Sequence, residues 1–388
     1  MAVKILSVDD EVDLELLLTQ HFRRKIRKGE YDFLFAHNGL EALEVMLKNP
    51  DIDIVLSDIN MPEMDGLTLL AKINEMRNPA LKCIMVSAYG DMDNIRQAMN
   101  SGAFDFATKP IDLDDLDKTI EKAIEQINFV RSSQREHKQL VDIQNDLSVA
   151  REIQHAILPH SFKLNMKAGN RVDIHGSMVA AKDVGGDFYD FFAIDENRFG
   201  FTMADVSGKG VPAAIFMAVS RTMIKANGVR GISPAECMRT VNNLLCEENL
   251  NDLFVTVFYG IYDLTTGHIE FTNAGHNPPY ILHADGSVDL VKSKVNLVLG
   301  AMEGIPYSNE SIDLAPGDTL VTFTDGVTEA EDIAHNQFGD DRLIDVLKTQ
   351  KGAGSQQIVA AIKQNVKEFT GEAEQSDDIT QLVIKRLE

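Results

Sequence analysis

Ile52-Asp53-Ile54-Val55-Leu56-Ser57-Asp58-Ile59-Asn60-Met61-Pro62 is the stretch on which the reading of the first half turns. Its run Ile52–Leu56 has the length and apolar content of a buried strand, and it finishes at the carboxylate of Asp58. Working outward, similar runs stand at Val3–Val8, Cys83–Val86 and near Asp105–Thr108, with helical stretches at Val12–Ile26, Leu40–Leu47 and Leu67–Met76 between them. Alternating strands and helices predict a doubly wound parallel sheet covered on both faces. Such sheets bind ligands at the carboxyl ends of their strands. Here those ends are Asp9 and Asp10, then Asp58, then Ser87, then Lys109 and Pro110.

Three carboxylates gathered in one crevice repel one another unless a cation joins them, and an oxygen-only ligand set suits Mg²⁺. A cation and a lysine together would neutralise a phosphoryl group arriving at a carboxylate, and Ser87 could bond a phosphoryl oxygen. Taken singly, Asp9 and Asp10 could merely cap the helix that begins near Val12. Taken together, residues 1–125 resemble the receiver domain of two-component response regulators. The residues that carry the likeness are Asp9-Asp10, Asp58-Ile59-Asn60-Met61-Pro62, Asp65-Gly66, Ser87-Ala88 and Thr108-Lys109-Pro110. The resemblance implies Asp58 as phosphoacceptor. It implies Mg²⁺ held by Asp10, Asp58 and the Asn60 main-chain carbonyl, with Asp9 assisting. Ser87, Phe106 and Lys109 would form the switch, with a cis bond before Pro110. Phe106 stands where the family often has tyrosine, so its inward state would need packing alone.

Residues 112–158 read as one long helical region. Leu140, Ile143, Leu147, Ala150, Gln154 and Ile157 follow a 3,4 spacing, and Ile120, Ile124 and Ile127 form a second apolar seam. The two seams are one residue out of phase across Arg131–Lys138, so a skip, bend or hinge is expected there, with Pro159 ending the helix. The pattern fits a helix packed on its own domain or a dimerising coiled coil through residues 119–158, and the heptads favour the coiled coil.

Beyond residue 165 the pattern changes. Strand-like runs cluster at Arg198–Met203, Phe254–Tyr262, His268–Asn273, Thr319–Thr324 and Ile379–Lys385, with helices at Ala213–Ala226, Pro234–Leu245 and Gln356–Glu368. Grouped strands and grouped helices predict an α+β domain with mainly antiparallel sheet. Carboxylates stand at loop-like positions in Gly185-Gly186-Asp187, Asp205-Val206-Ser207-Gly208, Asp325-Gly326 and Ser376-Asp377-Asp378, the first three with glycines close by. Oxygen donors without histidine or cysteine suit Mg²⁺ or Mn²⁺, and two such ions can clamp and activate a water for attack on phosphorus. Spacing alone does not bring four loops together.

Residues 165–388 are similar to the metal-dependent PPM serine/threonine phosphatases of the bacterial SpoIIE/RsbU branch. The likeness is carried by Asp183–Asp190, Asp205–Ala214, Asn273–Pro279, Thr324–Ala330 and Ser376–Thr380, and Ala150–Pro159 matches the helix that precedes that domain. The resemblance implies a β-sandwich flanked by helices and two Mn²⁺ or Mg²⁺ ions. Asp187, Asp205, the Val206 carbonyl, Asp325 and Asp377 would hold them, with Asp205 bridging and Asp378 a further ligand or support. His276 reads as part of a tight turn rather than a general acid. The domains expected are a receiver at 1–118, a helical linker at 119–160 and a phosphatase at 161–388.

Composition narrows the function classes. Over 388 residues there are 37 Lys+Arg and 60 Asp+Glu, and the net charge of −23 disfavours nucleic acid and anionic membranes as partners. Three cysteines with no metal spacing, no basic–apolar leader and no long apolar run predict a cytoplasmic protein. The resemblance implies a sensor histidine kinase as phosphodonor. It also implies a phosphoserine anti-sigma-factor antagonist of the STAS fold as substrate, the dephosphorylated form releasing a sigma factor. The competing reading is a non-catalytic adaptor that binds a sigma-factor regulator through a phosphatase-like domain, although such an adaptor need not keep the acidic set.

Overall fold

The computed structural model describes residues 2–88, 91–159, 171–247, 252–294 and 296–387. The chain divides into two compact units, Met1–Ile143 and Gln144–Glu388. The linker boundary expected at 160/161 lies outside the described residues.

The first unit runs β1 (Val3–Val8), α1 (Val12–His21), α2 (Arg23–Arg27), β2 (Tyr31–Ala36), α3 (Gly39–Lys48), β3 (Ile54–Asp58), α4 (Gly66–Glu75), β4 (Lys82–Ala88), α5 (Met92–Asn100) and β5 (Asp105–Lys109). The strands form one parallel sheet in the order β2-β1-β3-β4-β5, as the alternation predicts. Its central strands are buried on both faces, which is why they read as continuous apolar runs rather than alternating ones. The helix expected over Val12–Ile26 is two helices. Phe22 leaves helical geometry between them and buries its ring against Tyr31 and Phe33.

Helix α6 (Leu113–Ile157) begins in this unit and continues into the next. It runs through Arg131–Lys138 without interruption, so the phase change there does not break it. The stretch is rich in Arg, Gln, Glu and Lys, residues that favour helical backbone geometry. The second seam is not free: Ile120 and Ile127 are buried and Ile124 partly so, packed with Ile5, Leu18, Ile54 and Leu56 of the receiver. Arg131 pairs with the buried Asp53 at 2.6 Å on the same side. The first seam divides. Leu140 and Ile143 are exposed at 60% and 56%, whereas Gln154 is buried and Ile157 packs on the core of the second unit.

The second unit continues with β6 (Val172–Val179), β7 (Phe188–Ala193), β8 (Arg198–Val206), α7 (Val211–Gly228), α8 (Pro234–Glu247), β9 (Val255–Asp263), β10 (His268–Ala274), β11 (Tyr280–Leu282) and β12 (Val288–Leu290). It closes with β13 (Glu310–Asp313), β14 (Thr319–Phe323), α9 (Asp325–Thr328), α10 (Gly339–Thr349), α11 (Ser355–Thr370) and β15 (Ile379–Arg386). Two antiparallel sheets result, β13-β10-β9-β8-β7 and β12-β11-β14-β15-β6. Alternation along β15 shows the layering. Leu382 and Ile384 join Phe199, Phe201 and Phe258 in the large core cluster, while Val383 faces Ile358 and Ile362 of α11. Helix α7 starts with Pro212 in its first turn and buries Ala213, Met217 and Ile224, leaving Ile215 and Val219 exposed.

Candidate functional site

In the first unit the parallel registers Val8↔Ser57, Asp58↔Val86 and Ser87↔Thr108 bring the strand ends level. Asp9, Asp10 and Asp58 each offer an oxygen within 4.8 Å of the others. Asp9 and Asp58 are buried and Asp10 is exposed. Lys109 Nζ lies 2.7 Å from Asp58 Oδ2, 2.9 Å from Asp9 Oδ2 and 3.0 Å from Glu11 Oε1. Its partial burial works against the charge, yet the bonds to Asp58, Asp9 and Glu11 hold the ammonium above its ordinary range. The Lys109–Pro110 bond is cis. The Asn60 N–H donates to Asp58 Oδ1 at 3.3 Å.

A helix cap and one glycine shape this pocket. Asp65 caps α4 by accepting from the Thr68 N–H at 2.7 Å, and a Cβ on Gly66 would overlap the Asp58 carbonyl. Close backbone approach after the carboxylate therefore needs glycine. The buried Ser87 hydroxyl has no hydrogen-bond partner among the described residues, and Phe106 stands outward, 38% exposed. Burial pushes the Asp9 carboxyl up, and the Asp58 charge adds to this against the Glu11 N–H and Lys109. A hard divalent cation would relieve that repulsion, so the donor set fits Mg²⁺.

In the second unit β7 and β8 pair with Phe188↔Ala204, which sets Asp187 opposite Asp205 one step further on. The pair Phe323↔Gln381 likewise sets Asp325 and Asp377 just past the paired ends of β14 and β15. The two edges meet. Thr324 Oγ1 donates to Asp187 Oδ2 at 2.7 Å and accepts from the Thr380 N–H at 3.1 Å. Burial first and then the Asp325 charge push the Asp205 carboxyl up to about 7. Burial and the charges of Asp205 and Asp378 raise Asp187 well above the carboxylate range, and burial and Asp377 raise Asp325. Lys209 alone does not balance such a set, and the ligand atoms it offers are oxygens, which fits Mg²⁺ or Mn²⁺.

The neighbouring aspartates differ. Asp378 is buried, and its carboxylate accepts backbone N–H groups from Ala181 at 2.8 Å, Gly186 at 2.7 Å and Asp187 at 3.3 Å. Asp377 is partly exposed and pairs with Lys209 Nζ at 2.9 Å. Gly208 and Gly210, on either side of that lysine, both have positive φ, so the Ser207–Gly210 loop turns in a way side-chain residues rarely allow. Val206 contributes its carbonyl beside Gly186, where an added Cβ would come within 2.9 Å of it.

His276 is buried with Nδ1 2.8 Å from Thr256 Oγ1 and Nε2 3.1 Å from the Phe323 carbonyl. Burial pushes its pKa down to about 4. The ring therefore sits neutral, with its Nε2–H donating to Phe323 and Nδ1 accepting from Thr256. Asn273 closes the turn through Oδ1 to the His276 N–H and Nδ2 to the His276 carbonyl. Sequence reasoning assigned no role to Lys209, Thr324 or Gln154. The only signals were the glycines flanking Lys209 and a polar residue on an apolar heptad position at Gln154.

Comparison with known proteins matches residues 5–121 to the response regulator receiver domain and residues 195–387 to Stage II sporulation protein E. Protein IcfG of Synechocystis is 29% identical over 269 residues, 62% of this chain and 41% of its own length. Phosphoserine phosphatase RsbU of Bacillus subtilis is 28% identical over 255 residues, 65% of this chain and 74% of its own. Among solved structures, the SiaA-PP2C domain of Pseudomonas aeruginosa aligns over 64% of this chain and 98% of its own at 25% identity, with a TM-score of 0.56. The chain thus spans less than half of IcfG and about three quarters of RsbU.

Proposed function

The chain joins a response-regulator receiver domain to a SpoIIE-type phosphatase domain, and from that premise we propose a metal-dependent protein serine/threonine phosphatase controlled by phosphorylation of Asp58. The observation that carries the reading is the convergence of Asp187, Asp205 and Asp325 at one edge of the two sheets, where burial and neighbouring carboxylates push all three carboxyls up, with Asp377 among the charges acting on Asp205 and Asp325. Asp187, Asp205, the Val206 carbonyl, Asp325 and Asp377 hold the cations. Two divalent ions bound there supply positive charge for the phosphoryl oxygens and an activated water. Asp378 supports rather than ligates, because its oxygens already take three backbone donors. Thr324 orients Asp187, and His276 holds the turn above Phe323.

In the receiver, a sensor histidine kinase transfers a phosphoryl group from its phosphohistidine to the Asp58 carboxylate. Asp10, Asp58 and the Asn60 carbonyl hold Mg²⁺, with Asp9 assisting. Lys109 and Ser87 take the phosphoryl oxygens, and Phe106 follows Ser87 inward. Helix α6 transmits the change, and of residues 119–158 it is the stretch around the exposed Leu140 and Ile143 that supports a homodimer, since Ile120 and Ile127 are packed on the receiver.

The substrate class is phosphoserine on a STAS-fold anti-sigma-factor antagonist. RsbU bears the name phosphoserine phosphatase, as does RsbP, 25% identical over 193 residues. No helix among the described residues is long and apolar enough to cross a membrane, in keeping with a cytoplasmic site of action. The test is p-nitrophenyl phosphate turnover by the full chain with Mn²⁺, with and without Mg²⁺ and beryllofluoride, beside Asp205→Asn. Turnover that needs Asp205 and changes with beryllofluoride supports the reading. Its absence in every state, also with a phosphorylated STAS partner, favours the adaptor.

A further inference from the structure

We propose that Gln154 and Arg151, in the last turns of α6, are positioning residues that hold the loop carrying Asp187 in register with Asp205. The inference rests on the phosphatase reading above. Gln154 is a polar side chain only 6% exposed, on a helix position whose spacing called for an apolar residue. Both ends of its amide are used on one loop residue. Nε2 donates to the Gly185 carbonyl at 2.6 Å, and Oε1 accepts from the Gly185 N–H at 3.0 Å. One turn earlier, Arg151 Nε donates to the Asp183 carbonyl at 2.8 Å and Nη2 pairs with Asp183 Oδ1 at 2.5 Å. Four polar contacts from two side chains, three of them to main-chain groups, thus fix the loop from the helix side.

The opposite side of the loop is held as firmly. Asp378 accepts from the N–H groups of Gly186 and Asp187, and a Cβ on Gly185 would overlap its carboxylate. The loop is therefore pinched between Gln154 and Asp378, with Asp187 two residues beyond the clamp. No slack separates them, since Gly186 lies against the Val206 carbonyl. A turn or local unwinding of α6 at Gln154 pulls on Gly185 and displaces Asp187. A residue behind a metal ligand is worth about 10–100-fold in metal affinity. Gln154 acts on the ligand through two peptide units.

The test uses the full chain carrying Gln154→Leu, which keeps the volume and removes both bonds. A second variant is Arg151→Met, at an exposed position that does not threaten folding. For Gln154→Leu the Mn²⁺ concentration giving half-maximal p-nitrophenyl phosphate turnover should rise about 10–100-fold, with kcat at saturating Mn²⁺ within about threefold of wild type. Mn²⁺ binding measured by calorimetry should weaken by the same factor at the sites that Asp205→Asn removes, leaving the receiver site unchanged. Arg151→Met should move both constants in the same direction. A role confined to holding the helix would lower Tm and leave both metal constants alone, and that result overturns the proposal. Turnover lost at every Mn²⁺ concentration with undiminished Mn²⁺ binding also overturns it. If Gln154→Leu does not fold, unchanged metal constants in Arg151→Met overturn it by themselves. Wild-type protein with no Mn²⁺-dependent turnover overturns the phosphatase reading and this proposal together, whereas wild-type turnover with unaltered variants overturns this proposal alone.

Discussion

Asp377 and Asp378 are adjacent and chemically identical, yet the structure assigns them opposite costs. The Asp378 carboxylate takes Ala181 N–H on Oδ1 and Gly186 and Asp187 N–H on Oδ2. Asp378→Asn offers one carbonyl oxygen, so its NH₂ must face at least one of those buried donors. A hydrogen bond to a charged group is worth about 1.5–3 kcal/mol, and stranding a buried donor costs about 1–3 kcal/mol more. Together these give about 2.5–6 kcal/mol. For a domain of this size each kcal/mol moves Tm by about 2–4 °C, so the phosphatase transition should fall by about 5–24 °C. In Asp377→Asn the bond from the Asp378 N–H to Oδ1 survives, and what is lost is a partly exposed pair with Lys209, worth about 0–1 kcal/mol. That variant should melt within about 3 °C of wild type while needing far more Mn²⁺ for turnover. Differential scanning calorimetry of the full chain resolves the two transitions, and a Mn²⁺ titration of turnover gives the second readout. A stable Asp378→Asn, or an Asp377→Asn with wild-type metal dependence, would refute the assignment.

The other predictions address the receiver and the pH response. Asp58→Asn should leave turnover without a phosphodonor in place and abolish any change with beryllofluoride; an unaltered beryllofluoride response contradicts the phosphoacceptor role. Gly66→Ala drives a Cβ into the Asp58 carbonyl, where no flexible side chain can give way. It should destabilise the receiver by about 1–3 kcal/mol or more, read as a fall in its own melting transition with the phosphatase transition unmoved. His283 is held between Asp318 at 3.0 Å and Asp289 at 3.2 Å, and although burial opposes its charge, these partners raise its pKa. Its folded pKa therefore lies above the unfolded value of about 6.5, and the stabilisation is complete below that value and fades as pH rises through the folded pKa. The Tm difference between wild type and His283→Asn should be largest at about pH 5.5 and shrink toward pH 8; a difference constant with pH sinks the linkage.

Much of the first unit is legible in the sequence because parallel topology converts strand ends into a site. Once Val3–Val8, Ile52–Leu56 and Cys83–Val86 are strands, Asp9, Asp58 and Ser87 have nowhere to go but one edge. The break at Phe22 was not legible, since an apolar residue there suits a continuous helix equally well. In the second unit β7 carries no alternation: Phe188–Phe192 is wholly buried, Asp190 included, where Arg221 Nη2 meets it at 2.9 Å. A charged residue inside an aromatic run conceals a strand from any pattern of period two. The resemblance favours Asp377 over Asp378 as ligand, whereas the Ala181, Gly186 and Asp187 donors that occupy Asp378 come from distant segments that no local pattern reveals.

The apolar seam of α6 shows why periodicity misplaces function at its ends. A heptad records that one helix face is covered, without saying by what. Ile120 and Ile127 are covered by the receiver sheet, Ile157 by the phosphatase core, and only the stretch around Leu140 and Ile143 is left for another chain. The one polar residue on the seam, Gln154, is the one bonded to the loop that carries Asp187. An apolar side chain there would bury the same surface but leave the Gly185 N–H and carbonyl unpaired, at about 1–3 kcal/mol for each stranded group. The polar exception to the pattern therefore stabilises the loop conformation that Asp187 requires. Under the proposal above, that is the route by which a change in the helix would reach the carboxylates.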